Sequence, residues 1–414
     1  MSIAILGGIQ TDFARVWSRE GLDLSDMLGA VTRGALADAG VRAGDIGTIH
    51  VGNAFGELQR GQAHLGAMIS DLVPELWGVP ASRHEGACAS GSLALLAATA
   101  EIEAGRYDVA LVIGAEEFKN TAGDVASQNQ NAASWQGREE IDCRFMWPAA
   151  FGLVGAEYQN RYGLERRHLN RLAEQAYQNA RKNPLAQTRA WSFGEGKFSE
   201  DDILNPVIEP GTRRQDCAQI TDGAAAIVIA SEAFAAEHAR RTGRAGRTGR
   251  DDLAFARITG WGHTTAGIRL KPKFERSRDE ALIFPHVAQA AIEARRRAGI
   301  TSVFDLDVIE THDCFSHTAY MAIDHLGITA PGENGRAIDD GLIAPGGRLP
   351  FNPGGGLIGC GHPVGATGVR MVLDAARQVT GSAGTIQVKG ARRVQTLNIG
   401  GSASTIVSFI VAAD

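Results

Sequence analysis

Residues 45–55, DIGTIHVGNAF, can be laid without a gap over residues 305–315, DLDVIETHDCF. Each copy follows a helical stretch that closes on Ala-Gly: GALADAG at 34–40 and EARRRAG at 293–299. Each then leads to a glycine-rich turn that opens a helix, GACASGSLALLAATAEIEAG at 86–105 and GCGHPVGATGVRMVLDAARQ at 359–378. A small-residue turn and an apolar strand complete both halves, DGAAAIVIAS at 222–231 and GGSASTIVSF at 400–409. Self-similarity on this scale is an internal duplication. Strands such as YDVALVIGA at 107–115 are apolar without alternation, as strands buried on both faces are. Alternating strands and helices make the fold class α/β, built from two copies of one unit.

The copies differ in one respect. About 100 residues, 119–218, interrupt the first half between strands 107–115 and 222–231. Residues 1–118 with 219–250 thus form an N-terminal half, 119–218 an inserted loop domain, and 251–414 a C-terminal half. The insert holds Trp135, Trp147, Trp191 and a basic helical stretch at 161–183. It is expected to cover a pocket; a stabilising or oligomerising extension is the other reading. RRTGRAGRTGR at 240–250 reads as a solvated connector between halves.

Composition narrows the function. Lys+Arg 41 against Asp+Glu 47 gives a net charge of −6, which argues against nucleic acid or an anionic membrane as partner. Glycine is abundant, 51 of 414 residues against a usual ~7%, so many close backbone approaches are expected. Five widely spaced cysteines do not suggest a disulfide framework. No apolar run reaches the ~18 residues that span a bilayer. The N-terminus lacks a charged region ahead of its apolar stretch and reads as a strand. The expected location is cytoplasmic.

Cys88, in HEGACASGS, precedes an apolar helix at 92–104. Free N–H groups and the dipole at a helix start favour thiolate, and the small neighbours let a carbonyl approach backbone donors. His362, in GLIGCGHPVGATG, occupies the equivalent loop of the second half. If the halves pack about a pseudo-twofold axis, thiol and imidazole meet as a nucleophile–base pair. THDCFS at 311–316 follows a strand directly, at the edge where α/β sheets gather ligands. Its duplicated counterpart, Gly52-Asn53-Ala54-Phe55, has neither His nor Cys. His312 and Cys314 are therefore candidates. Cys360 reads as packing at least as well as chemistry, and Cys143 and Cys217 read as structural. The H-x-C and C-x-H spacings are not those of structural zinc sites, so no metal is expected. No phosphate-binding glycine fingerprint is present.

With these residues in view the sequence resembles the thiolase superfamily along essentially its full length. The marks are GACASGS, THDCFS, GLIGCGHPVGATG and NIGGSAST, with GKFSEDDILNPV and ITDGAAA in support. HDCF is similar to the sterol-carrier-protein-type branch. The resemblance implies a five-layered αβαβα fold and thiolysis of 3-ketoacyl-CoA, or the reverse Claisen condensation. Coenzyme A would be co-substrate, with no tightly bound cofactor. It further implies Cys88 as acyl-accepting nucleophile, His362 as its base, His312 as a donor to the enolate oxygen, and the N–H groups of Cys88 and Gly400 as an oxyanion hole. A homodimer or dimer-based tetramer is expected, and some relatives work with a small OB-fold partner. Most thiolases carry a second catalytic cysteine where this chain has Asn398-Ile399-Gly400. Asn398 cannot shuttle a proton, so Cys314 is expected to take that role, with Cys360 as competitor. The alternatives are a partner-dependent acyltransferase or carbon–carbon lyase on branched or steroid side-chain thioesters, and a non-catalytic subunit of the same fold.

Overall fold

The computed structural model describes residues 2–243 and 255–413. Nine strands form one sheet: β1 (Ile3–Gln10), β2 (Thr48–Gly52), β3 (Ala81–His84), β4 (Val109–Glu116), β5 (Gly223–Ala230), β6 (Ala256–Thr265), β7 (Val308–Thr311), β8 (Arg393–Gly400) and β9 (Thr405–Ala412). Their spatial order is β3-β2-β4-β5-β1-β6-β9-β8-β7. The duplication is visible in this order: each half contributes one arm, and the arms meet where β1 pairs antiparallel with β6, Ile3 opposite Ile258. Ile49 is paired in parallel with Ala81, and Ile309 is bridged in parallel to Phe351, so the outer edges correspond as well.

The layers follow from side-chain burial. Helix α1 (Leu24–Ala39) and α2 (Leu65–Leu72) pack their apolar residues on the outer face of the first arm. Between the arms lie α3 (Ser90–Glu103) and, from the second half, the helix Val364–Val379; their alanines and valines share one core with strands of both arms. The outer face of the second arm is covered by helices Met146–Tyr162, Arg166–Ala180, Pro285–Arg297 and Ser316–His325, here α4, α5, α7 and α8, with α6 at Leu270–Arg276 and α9 at Val364–Val379. This is an αβαβα stack. Glycine lets the middle layer close up: a Cβ on Gly365 would stand 2.5 Å from the Ala115 carbonyl oxygen, and one on Gly91 2.5 Å from the Gly365 oxygen. The starts of α3 and α9 therefore face each other at the centre.

Three local expectations are corrected. Helix α3 starts at Ser90 rather than 92, because the Ser90 hydroxyl donates to the Ala87 carbonyl at 2.6 Å and accepts the Gly86 N–H at 3.0 Å, tying the helix to the turn before it. The basic stretch 161–183 is not one helix but the end of α4 and all of α5, broken at Gly163, φ +80°. The connector begins later than Arg240, since a helix runs Glu232–Thr242 with Arg240 and Arg241 in its last turn, where cations suit the dipole. Residues 244–250 of that connector, and the boundary drawn at 250/251, lie outside the described residues. Between β8 and β9 only 401–404 intervene, whereas the matching link between β4 and β5 is 117–222. Among the described residues no helix is long and apolar enough to cross a membrane.

Candidate active site

Cys88 sits in a tight turn, Ala87–Ala89, immediately ahead of α3. Ala87 holds φ +52°, a left-handed backbone that residues with a Cβ seldom adopt. The turn is fixed by the Ser90 hydroxyl and by the Ala87 N–H donating to Glu85 Oε1 at 2.6 Å. His362 lies just ahead of α9, and His312 just beyond β7. The Cys88 sulfur and one ring nitrogen from each histidine lie within 4.8 Å of one another. The two imidazoles meet edge to face, 5.3 Å between centroids at 85°. Residues separated by more than 200 positions thus converge through the facing helix starts.

Hydrogen bonds assign opposite roles to the histidines. The Thr367 hydroxyl donates to the Pro363 carbonyl at 3.0 Å, so at 2.7 Å it can only accept from His362 Nδ1–H. His362 Nε2 is then left with a lone pair. Asn398 is oriented by the Ser92 hydroxyl, which donates to its Oδ1 at 2.8 Å; its Nδ2 donates to His312 Nδ1 at 3.0 Å. His312 therefore carries its proton on Nε2. One imidazole can accept a proton and the other can donate a hydrogen bond.

Electrostatics keeps the resting site neutral. Burial, seconded by the Arg370 charge, pushes His362 down to about 3. Burial, then His362 and Arg370, hold His312 well below the usual imidazole range. Burial pushes the Cys88 thiol up to about 12, although a backbone N–H from Gly401 favours the thiolate. The helix start and its N–H groups favour the thiolate, while desolvation of the Cys88 thiol works against it.

The site opens into a narrow cavity of about 70 Å³. Cys88, Cys314, His362 and Gly401 line it with the aromatic walls Phe55, Phe118, Trp147, Phe151 and Phe315. Gln130, Ala133, Trp147 and Phe151 come from the inserted stretch, which does roof the cavity. Cys314 is buried, its thiol held well above the usual range by burial and then by Cys88. Cys360 is elsewhere, fully buried with Phe13, Ala180 and Ala186 and accepting from Asn183 Nδ2 at 3.5 Å. Gly400 ends β8 with no room for a Cβ, which would stand 2.1 Å from the Gly86 oxygen, and the next residue, Gly401, lines the cavity with Cys88. The Cys143 and Cys217 thiols are partly buried and donate to the carbonyls of Ile141 and Arg213, Cys217 also packing against the core of the second arm.

Sequence reasoning passed over two buried groups that hold the site. Glu116, at the end of β4, accepts N–H groups from Ala54, Phe55 and Gly365 and the Asn53 amide, joining the first-half loop to the start of α9. Its only sequence signal was an acid closing an apolar strand. Arg370 is fully buried, 2.7 Å from Asp374 and 3.5 Å from Glu310. The trio Cys88, His312 and His362 is also a donor set that a soft divalent ion could use, and it forms only in the fold, since the three residues lie far apart in the chain.

Comparison with known proteins covers the chain in both halves. The thiolase N-terminal domain model matches residues 3–190, and the thiolase C-terminal domain-like model matches 272–413. The chain is 30% identical to an acetyl-CoA acetyltransferase of Methanothermobacter thermautotrophicus over 410 residues, covering 99% of this chain and 98% of that protein. It is 27% identical to sterol carrier protein 2 of Rattus norvegicus, covering 98% of this chain and 71% of that one. Among solved structures, an Ltp2–ChsH2(DUF35) aldolase superposes with a TM-score of 0.77 at 21% identity, covering 100% of this chain and 98% of that one. That last likeness is one of fold.

Proposed function

Because the chain belongs to the thiolase family, we propose that it is a coenzyme A-dependent acyltransferase that exchanges the Cα–Cβ bond of a 3-ketoacyl-CoA through an acyl-Cys88 intermediate. The observation that carries this reading is the meeting of the Cys88 sulfur with two neutral imidazoles of opposite tautomer. His362 Nε2 takes the thiol proton as sulfur attacks the keto carbon. The oxyanion that forms is held by the N–H groups of Cys88 and of the Gly400–Gly401 turn. Cleavage expels the acetyl-CoA enolate, whose oxygen receives hydrogen bonds from His312 Nε2–H and the newly protonated His362 Nε2–H. The Cys314 thiol then protonates the enolate carbon. Coenzyme A returns that proton to Cys314 as its sulfur attacks the acyl group, and departing Cys88 recovers its own from His362.

The narrow cavity and its aromatic walls favour short acyl groups. A panel of 3-ketoacyl-CoA esters assayed for thiolysis with free coenzyme A should give highest kcat/KM for acetoacetyl-CoA, falling with chain length. A maximum at bulky, branched or steroid side-chain esters, or turnover only with an added OB-fold partner, would favour the partner-dependent lyase reading. The relative named an aldolase with a DUF35 subunit makes that the second reading. A homodimer or dimer-based tetramer belongs to the same proposal: β3 ends the sheet, and an open edge invites C₂ pairing.

A further inference from the structure

Lys273 lies on α6 and is 5% exposed, yet among the described residues it makes no ion pair with a carboxylate. Its ammonium instead donates to the Ser402 hydroxyl at 2.9 Å, the Ser404 hydroxyl at 2.9 Å and the Ile268 carbonyl at 3.4 Å. All three N–H groups are thus spent on one turn, 400–404, and the loop between β6 and α6 beside it. Burial, only partly offset by the Glu139 charge, pushes this lysine down to about 7, so the arrangement costs free energy. The turn is strained at Ala403, which holds φ +59° while 1% exposed; Gly401, at φ +60°, takes the left-handed region that glycine allows. A second bolt acts at the same place, His286 Nε2–H donating to the Ala403 carbonyl at 2.8 Å. Gly401, at the head of this turn, lines the cavity together with Cys88, and its backbone N–H favours the Cys88 thiolate.

The clamp is continuous with the roof. Glu139 Oε1 accepts the Leu270 N–H at the start of α6 at 3.0 Å, and Lys271 stands 3.6 Å from Glu140. Ala133, a few residues earlier, lines the cavity and approaches Gly401.

We infer that Lys273 is a positioning residue for acyl transfer, holding the 400–404 turn so that the Gly401 N–H is aimed where the Cys88-bound oxyanion forms. The inference rests on the acyl-Cys88 reading. A long, multiply bonded ammonium suits this task because it fixes two hydroxyls at once, whereas a backbone turn with two left-handed residues would otherwise relax.

The test compares Lys273→Met with a Ser402→Ala/Ser404→Ala double variant, which keeps the charge and removes its two hydroxyl acceptors. Three quantities are measured in each: the rate of Cys88 acetylation by acetyl-CoA, the rate of its alkylation by iodoacetamide, and hydrogen exchange in peptide 398–405. Alkylation requires no oxyanion donor. Acetylation should fall about ten- to a hundredfold, less than the 10²–10³ of outright donor loss, with alkylation within about threefold, and exchange at 398–405 faster than in wild type while β4 is unchanged. Wild-type acetylation rates in both variants would overturn the inference. So would a parallel fall in alkylation, which would mark general damage to the site. If the wild-type protein is never acetylated, the acyl-transfer reading fails on its own. Exchange then judges the clamp, and unchanged protection of 398–405 in both variants overturns it.

Discussion

Asn398 occupies the position where the family resemblance leads one to look for a second cysteine, and its buried amide bridges Ser92 on α3 to His312 beyond β7. It cannot move a proton, but it decides which nitrogen of His312 carries one. Asn398→Ala should therefore weaken enolate stabilisation rather than the nucleophile. Thiolysis is expected to drop by about 10²-fold while acetylation of Cys88 stays within a few-fold. Cys314→Ala should behave alike in leaving acylation intact, but through loss of the acid/base. Deuterium exchange from solvent into the acetyl methyl should fall by roughly 10²–10⁴-fold. Normal turnover of 3-ketoacyl-CoA by Cys314→Ala would remove it from the mechanism. Cys88 itself carries a pH prediction. With its thiol pushed up to about 12, the thiolate fraction rises about tenfold per pH unit throughout the neutral range. Iodoacetamide alkylation should climb between about pH 6 and pH 9 without levelling. A plateau beginning below about pH 7 would mean a thiolate–imidazolium pair at rest.

At the scale of elements, the site depends on how closely α3 and α9 approach. A Cβ on Gly365 would meet two backbone oxygens, of Ala115 at 2.5 Å and Gly52 at 2.7 Å, neither of which can swing aside. Gly365→Ala should destabilise the protein by about 1–3 kcal/mol, the usual range for overpacking, read from the denaturant midpoint. It should also lower acylation of Cys88, because His362 precedes the displaced helix. A stability loss below that range with unchanged activity would mean that the helices have slack. Glu116 acts in the same joint. Its four N–H donors use both oxygens as acceptors, so the carboxylate is the form the hydrogen bonds fit, even as burial pushes its pKa up to about 7.

For the whole molecule, duplication was legible because its landmarks are local: an Ala-Gly helix end, an apolar strand and a glycine-rich turn recur in order in each half. From that repeat alone the facing helix starts could be anticipated, and with them the meeting of Cys88 and His362. What the sequence could not reveal depends on partners far away in the chain. Asn398 gains a role from Ser92 and His312, Glu116 from Gly365, and Lys273 from a turn about 130 positions later. Desolvation of Cys88 is a similar case: a helix start is visible in sequence, whereas the burial that opposes it comes from the whole fold. Cys360 illustrates the converse. It neighbours His362 in sequence, but the positive φ of Gly361, +122°, turns the chain between them and leaves the two on different faces.

The central claim is a covalent one, and mass spectrometry of the Cys88 peptide addresses it most directly. The protein is incubated with acetyl-CoA or acetoacetyl-CoA, quenched in acid and digested, with Cys88→Ser and His362→Ala treated alongside. The account predicts an acetyl adduct on Cys88 that free coenzyme A removes, that Cys88→Ser lacks, and that His362→Ala accumulates about 10²–10⁴-fold more slowly, the range general base catalysis supplies. An unmodified Cys88 under every thioester tried, in protein that remains folded, would contradict it.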